Sequence, residues 1–252
     1  MKPAKTLSYI FTGILICTQY SIGQAQFKIP TIKVPQNIPN PTGGSTSIQG
    51  LSESDIVAGL KEALSVGSKN ASSQLNQLDG FNKNMRIRIP FPEDAVRVAT
   101  KLRQMGYGKK VDEFELTLNR AAEQAAKEAA PIFLNAIKQM TFGDAKSILT
   151  GADTAATGYL RKTTFSPLYS AFSPHVTKAL GNTFATSKWT EITTIYNKLP
   201  MVKRVDTDLT RYTTNKALKG LFVVVADEEL KIRKDPAARV SDILKKVFGQ
   251  KS

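Results

Sequence analysis

Two kinds of residue in this chain have the chemistry to act on a partner: carboxylates in short runs, and cations concentrated in one segment. The carboxylate runs are Asp112, Glu113 and Glu115 in "VDEFE", and Asp227, Glu228 and Glu229 in "ADEEL". A divalent cation needs ligands closing round it from several directions. On a helix each of these runs faces outward and lacks a second ligand group, so both read as solvated faces. The two acids of a glycosidase need not be close in the chain, and that enzyme class stays open. Nucleophilic hydrolysis has little to work with. The one histidine, His175, follows Pro174 at an expected helix start, and no serine sits in a G-x-S-x-G turn. There is no P-loop and no dinucleotide fingerprint. No catalytic, metal-binding or cofactor-binding residue is assigned, no cofactor is expected, and an enzyme ranks third among the functional readings.

The cations offer more. Lys83, Arg86, Arg88, Arg97, Lys101, Arg103, Lys109 and Lys110 fall within 28 residues that contain only Glu93 and Asp94 as acids. Arg86 and Arg88 would share one side of an extended strand, and Arg97 and Lys101 one side of a helix. They form a candidate surface for an anionic partner. The whole chain carries 35 Lys and Arg against 21 Asp and Glu, a formal charge of +14. Such an excess favours anionic lipid, lipopolysaccharide or an acidic protein. A second group, Tyr159, Phe165, Tyr169 and Phe172, reads either as core or as the wall of an apolar cavity between helices.

The N-terminus indicates where these residues work. "MKPAK" is basic, "LSYIFTGILIC" is an apolar run of signal-peptide length, and Gly23 and Ala25 suit a cleavage site after Ala25. Ile16 before Cys17 argues against lipidation. Cys17 is the only cysteine, so the expected mature chain has no disulfide or thiol site. Residues 26–50, with Pro30, Pro35, Pro39 and Pro41 followed by Gly43 and Gly44, read as an extended arm. No later apolar stretch is long enough for a transmembrane span. Export makes nucleic acid a poor partner.

Residues 51–252 read as one helical domain. "SESD" and "TFGD" are capping boxes, at Ser52 and Thr141. Ile56, Leu60 and Leu64 recur at helical spacing, as do Ala95, Val98, Ala99, Leu102 and Met105 before the "GYG" stop. "MRIRIPFP" interrupts the pattern and alternates like one short β segment near 85–91. The next helix buries Val111, Phe114, Leu118 and an alanine band, Ala121, Ala122, Ala125, Ala126, Ala129 and Ala130, that lets neighbouring helices approach closely. Glu123 and Lys127 would pair on its outside. Pro131 should kink or split it. Pro167, Pro174 and Pro236, each after Ser or Asp, are expected in first helical turns, and Gly151, Gly181 and Gly249 at helix ends. Residues 206–234 make one long helix with an apolar centre, "GLFVVVAD", and one-turn pairs Asp227–Lys231 and Glu229–Arg233.

"VDEFELTLNRAAEQAA", "MTFGDAKSILTGADTAATGYL" and "LKGLFVVVADEELKIRKDPAARVSDILKKVFG" together resemble the hallmark segments of a bacterial family, domain of unknown function 4197, over about Leu51 to Gly249. The resemblance implies export, a helical body and a Gram-negative periplasm or outer-membrane association. It carries no catalytic residue. The fold expected is therefore all-α: a multi-helix single domain behind a Pro-rich arm. The function expected is a non-enzymatic cell-envelope binding or accessory protein, acting through its basic surface and its arm on a protein or anionic envelope partner. The alternative is a periplasmic carrier of a lipid-like molecule.

Overall fold

The structure is a computed structural model that describes residues 52–181, 189–190, 193–194, 197–198, 201, 204–206, 208–239 and 241–249. All fall in the compact unit Ser45–Ser252; the expected signal peptide and arm lie outside the described residues. The domain is all-α, with no strand among the described residues. Among the described residues the bounded helices are α1 Glu53–Leu75, α2 Val96–Gln104, α3 Gly108–Ala125, α4 Ala129–Gln139, α5 Phe142–Thr150, α6 Ala155–Gly181, α7 Leu209–Lys234 and α8 Asp242–Gly249.

Local sequence explains most boundaries. Ser52 and Thr141 close complete capping boxes with Asp55 and Asp144 at the starts of α1 and α5. Asp208 caps α7 by accepting from the Arg211 amide. The break foreseen near Pro131 is a 3₁₀ turn, Ala126–Glu128, that separates α3 from α4. Proline has no amide to donate and its ring crowds the carbonyl four residues back, which is Lys127, so the chain leaves the α geometry there.

Two prolines behave otherwise. Pro167 and Pro174 do not start helices; both sit inside α6. The carbonyls they leave without an amide partner belong to Thr163 and Ser170, which are exposed, as are the prolines themselves. Water therefore satisfies what the prolines remove. The opposite side of α6 runs Leu160, Thr164, Leu168, Phe172, Val176 and Leu180 at every fourth position, all buried. Each large apolar side chain in that row contributes about 1.5–3 kcal/mol on burial, which holds the helix together across both prolines.

This row makes α6 the hub. It packs against α3, α4, α5 and α7, while α1 lies across α4, α5, α7 and α8. The alanine band is a packing seam: Ala121, Ala122, Ala125, Ala126 and Ala129 are all fully buried, and Ser72 of α1 donates a 2.7 Å bond to the Ala126 carbonyl across it. Gly220 does similar work on α7. A Cβ there would lie 2.8 Å from Phe81 Cε1 and 3.1 Å from Ile87 Cβ, so only glycine lets the 81–87 segment lie flat on that helix. Helix α2 is peripheral. It packs chiefly on α3, and of its nine residues only Ala99 is buried.

Candidate functional site

The segment expected to be a strand is instead a turn followed by extended chain, and a helix takes the place of a partner strand. Ile87 and Arg88 both donate to the Asn84 carbonyl, which forms the turn. Beyond it Ile87, Ile89 and Phe91 are buried, so the alternation was real. What it lacks is a backbone ladder. Three side chains of α3, at four-residue spacing, serve in its place. Glu123 Oε1 accepts from the Phe81 and Asn82 amides, at 3.1 and 3.2 Å. Asn119 accepts from the Ile89 amide through Oδ1 and donates to the Ile89 carbonyl through Nδ2, both at 2.8 Å. Glu115 Oε1 accepts from the Phe91 amide at 3.3 Å. Buried backbone groups must find partners, and this row supplies them.

Glu123 therefore does not lie outside facing Lys127. It is buried and paired at 2.6 Å with Arg120, which reaches Asp79 at 2.8 Å. Glu115 likewise leaves the expected solvated face, whereas Asp112 and Glu113 remain exposed.

The second carboxylate run is corrected in the same way. Asp227 is only half-buried and binds Arg86; Glu228 and Glu229 are buried. Glu228 accepts from Asn70 of α1 at 3.0 Å and pairs with Lys231. Glu229 accepts from the Ala156 amide at 3.0 Å, and from the Thr157 amide and hydroxyl at 2.8 Å each. Those amides are the second and third of α6, the groups an N-cap side chain would serve, here capped from another helix. Arg233 holds Glu229 at 2.8 Å and donates to the Ile148 carbonyl at the end of α5. The anion thus meets a helix N-terminus and the cation a helix C-terminus, the signs the helix dipoles favour. The expected Glu229–Arg233 pair is present; its burial and its partners were not foreseen.

The eight candidate cations do not act as one uniform surface. Lys83 binds Asp79 at 2.9 Å, Arg86 binds Asp227 at 2.7 Å, and Arg88 binds Glu115 at 2.8 Å. Arg103 binds Asp112 at 2.7 Å, and Lys110 binds Glu113 at 2.9 Å. Arg86 and Arg88 also part company, one reaching α7 and the other α3. Arg97 and Lys101 on α2 and Lys109 in the first turn of α3 are exposed, with no ion pair among the described residues.

The four aromatic residues do not share one environment among the described residues. Phe172 is fully buried in the core, Tyr159 is half-buried against α4, and Phe165 is exposed and stacks on Tyr169 with ring centres 6.5 Å apart. A cavity of about 20 Å³ lies elsewhere, bounded by α1, α6 and α7 beside Ser68, Leu160 and Glu229. It has room for one water molecule and none for an acyl chain. A larger open groove of about 680 Å³ runs past Arg120, Lys127, His175 and Lys178. His175 Nε2 lies 3.2 Å from Glu128 in a half-exposed contact.

These features define an all-α domain whose polar clusters join its own elements and whose basic segment keeps three exposed cations without an ion pair among the described residues, two on the peripheral α2 and one in the first turn of α3. A family model described as "Protein of unknown function (DUF4197)" matches residues 50–249, and the chain belongs to that family. No curated protein and no solved structure matches it. No helix among the described residues is long and apolar enough to cross a membrane.

Proposed function

We propose that the protein is a non-enzymatic binding protein of the cell envelope that engages an anionic partner through α2 and the first turn of α3. One observation carries this reading. Five of the eight clustered cations are held by carboxylates of the domain, which leaves Arg97 and Lys101 open on α2, a helix that contributes little to the core, and Lys109 open in the first turn of α3. Their cost to the fold is small and their long-range attraction for an anion is not offset locally. Export, inferred from the apolar leader, supplies the setting.

The test is binding to vesicles containing phosphatidylglycerol. Each cation near an anionic surface contributes on the order of 1 kcal/mol. The triple variant Arg97→Gln/Lys101→Gln/Lys109→Gln should therefore bind roughly a hundredfold more weakly, with an unchanged melting temperature. Binding by the parent should weaken as salt shortens the Debye length below about 8 Å. Arg86→Gln/Arg88→Gln should instead lower stability and leave salt-dependent binding largely intact. Equal binding by triple variant and parent sinks the proposal.

A further inference from the structure

The turn between α2 and α3 is built rigidly, yet it points two large apolar side chains at solvent. Leu102 accepts from the Tyr107 amide at 2.9 Å and Arg103 accepts from the Gly106 amide at 3.1 Å. Gly106 has φ +87°. This is the paired-bond C-terminal turn that glycine makes possible. In such a turn the residue after the glycine usually folds back on the helix and covers its last apolar side chain. Here Tyr107 is still 54% exposed, and Met105 on the other side of the glycine is 59% exposed. Scattered exposed apolar residues need no explanation. These two differ because they flank one fixed turn and stand among Lys101, Arg103, Lys109 and Lys110, with Asp112, Glu113 and Glu115 the acids paired into that group.

We infer that this tip enters the headgroup region of a phospholipid bilayer, with Met105 and Tyr107 in the interfacial layer and the flanking cations on anionic headgroups. The inference rests on the anionic-partner reading and makes it specific. Charge complementarity selects the occupant: the cations attract an anionic surface, and an apolar thioether with an amphipathic phenol between them suits a layer that is apolar on one side and wet on the other. Burial of apolar area combined with headgroup attraction is how a non-spanning element holds a membrane.

The test uses the expected mature chain from Gln26, which has no thiol of its own and lacks the apolar leader. Met105→Cys, Tyr107→Cys and, as a control on the far end of α4, Gln139→Cys are each labelled with an environment-sensitive fluorophore. Each is mixed with vesicles of equal parts phosphatidylcholine and phosphatidylglycerol, with phosphatidylcholine alone, and with polyglutamate. Sedimentation of the vesicles measures binding independently. The expected result is a blue-shifted, brighter signal at 105 and 107 on the anionic vesicles, reduced by salt, quenched by lipids that carry a spin label near the headgroup, and absent at 139. Salt-sensitive sedimentation with positions 105 and 107 still in water overturns the insertion and leaves the basic-surface reading standing. A shift with polyglutamate and none with vesicles overturns it in favour of an acidic protein. Sedimentation that ignores salt and is unchanged in the triple variant overturns both.

Discussion

Two buried glutamates, Glu123 on α3 and Glu229 on α7, use the same device in opposite surroundings. Each accepts two successive backbone amides from another part of the chain, and each is held by an arginine one turn away on its own helix, Arg120 or Arg233. They differ in how far the device is closed. Arg233 is 9% exposed and also donates to the Ile148 carbonyl at the α5 terminus. Arg120 is 30% exposed and shares Asp79 with Lys83, which is almost wholly in solvent. One cluster joins two helix ends inside the core; the other clasps a surface segment to a helix. The same pair of residue types should therefore differ in energetic weight, because Arg120 reaches bulk water, whereas Arg233 is nearly buried and the cavity beside Glu229 has room for only one water molecule.

The largest effect is expected at the closed cluster. Glu229→Ala strands the Arg233 charge and leaves the first amides of α6 without an acceptor. Loss of one partner of a buried pair costs about 3–5 kcal/mol, or roughly 10 °C in melting temperature for a domain of this size. Adding Arg233→Leu removes the stranded charge and should restore part of that loss, so the two substitutions should be far from additive. Strict additivity would show that the pair is not the unit of stability there.

Glu123→Ala should cost less, about 1–3 kcal/mol for unsatisfied amides, since Arg120 keeps Asp79 and reaches water. The loss should also be local. Hydrogen exchange should quicken at Phe81 and Asn82 while the amides of α6 stay protected. Equal losses for Glu123→Ala and Glu229→Ala would remove the distinction between closed and open. Asn119→Ala sharpens it from a neutral side chain. It should release the Ile89 amide, with a cost of about 1–2 kcal/mol and faster exchange from Ile87 to Phe91.

These carboxylates mark where the sequence stops being legible. Apolar periodicity and capping chemistry are local, so the helices, the boxes at Ser52 and Thr141, the break before Pro131 and the alanine seam could all be read from neighbours a few residues apart. Glu115, Asn119 and Glu123 lie beside the apolar stripe of α3 rather than opposite it. Such flanking positions are wet or dry according to what lands on them, and that depends on a segment some thirty to forty residues earlier. The four-residue spacing of three hydrogen-bonding side chains, next to an unbroken band of alanine, was the available clue. Pro167 and Pro174 were misjudged for a related reason. Their cost depends on whether the freed carbonyls meet water, which the fold decides. Of the candidate cations, the sequence located the cluster but not its division into five paired and three open members, because the acids that pair Arg86 and Arg88 come from distant helices.

The smallest expected effect concerns pH at the open cluster. The Lys83 ammonium, the Asn82 amide and the Arg120 guanidinium all bind the Asp79 carboxylate and hold its pKa well below the ordinary 3.8. A carboxyl depressed in the folded state contributes stability that is complete above its unfolded pKa and is lost as pH falls toward the folded value. Asp144, depressed by its bonds from Thr141 in the capping box, behaves the same way and supplies a comparison away from the cluster. Asp79 also has φ +66°, a conformation that asparagine tolerates at least as well, so Asp79→Asn removes charge without adding backbone strain. Its melting temperature should fall below the parent's at neutral pH, and the gap should narrow between about pH 5 and pH 2 as the parent's own carboxyl protonates. High salt should narrow it as well, because Lys83 is exposed and screened. A gap that stays constant into acid would mean that Asp79 acts through its shape in the turn rather than its charge, and the open cluster would then rest on Glu123 and Arg120 alone.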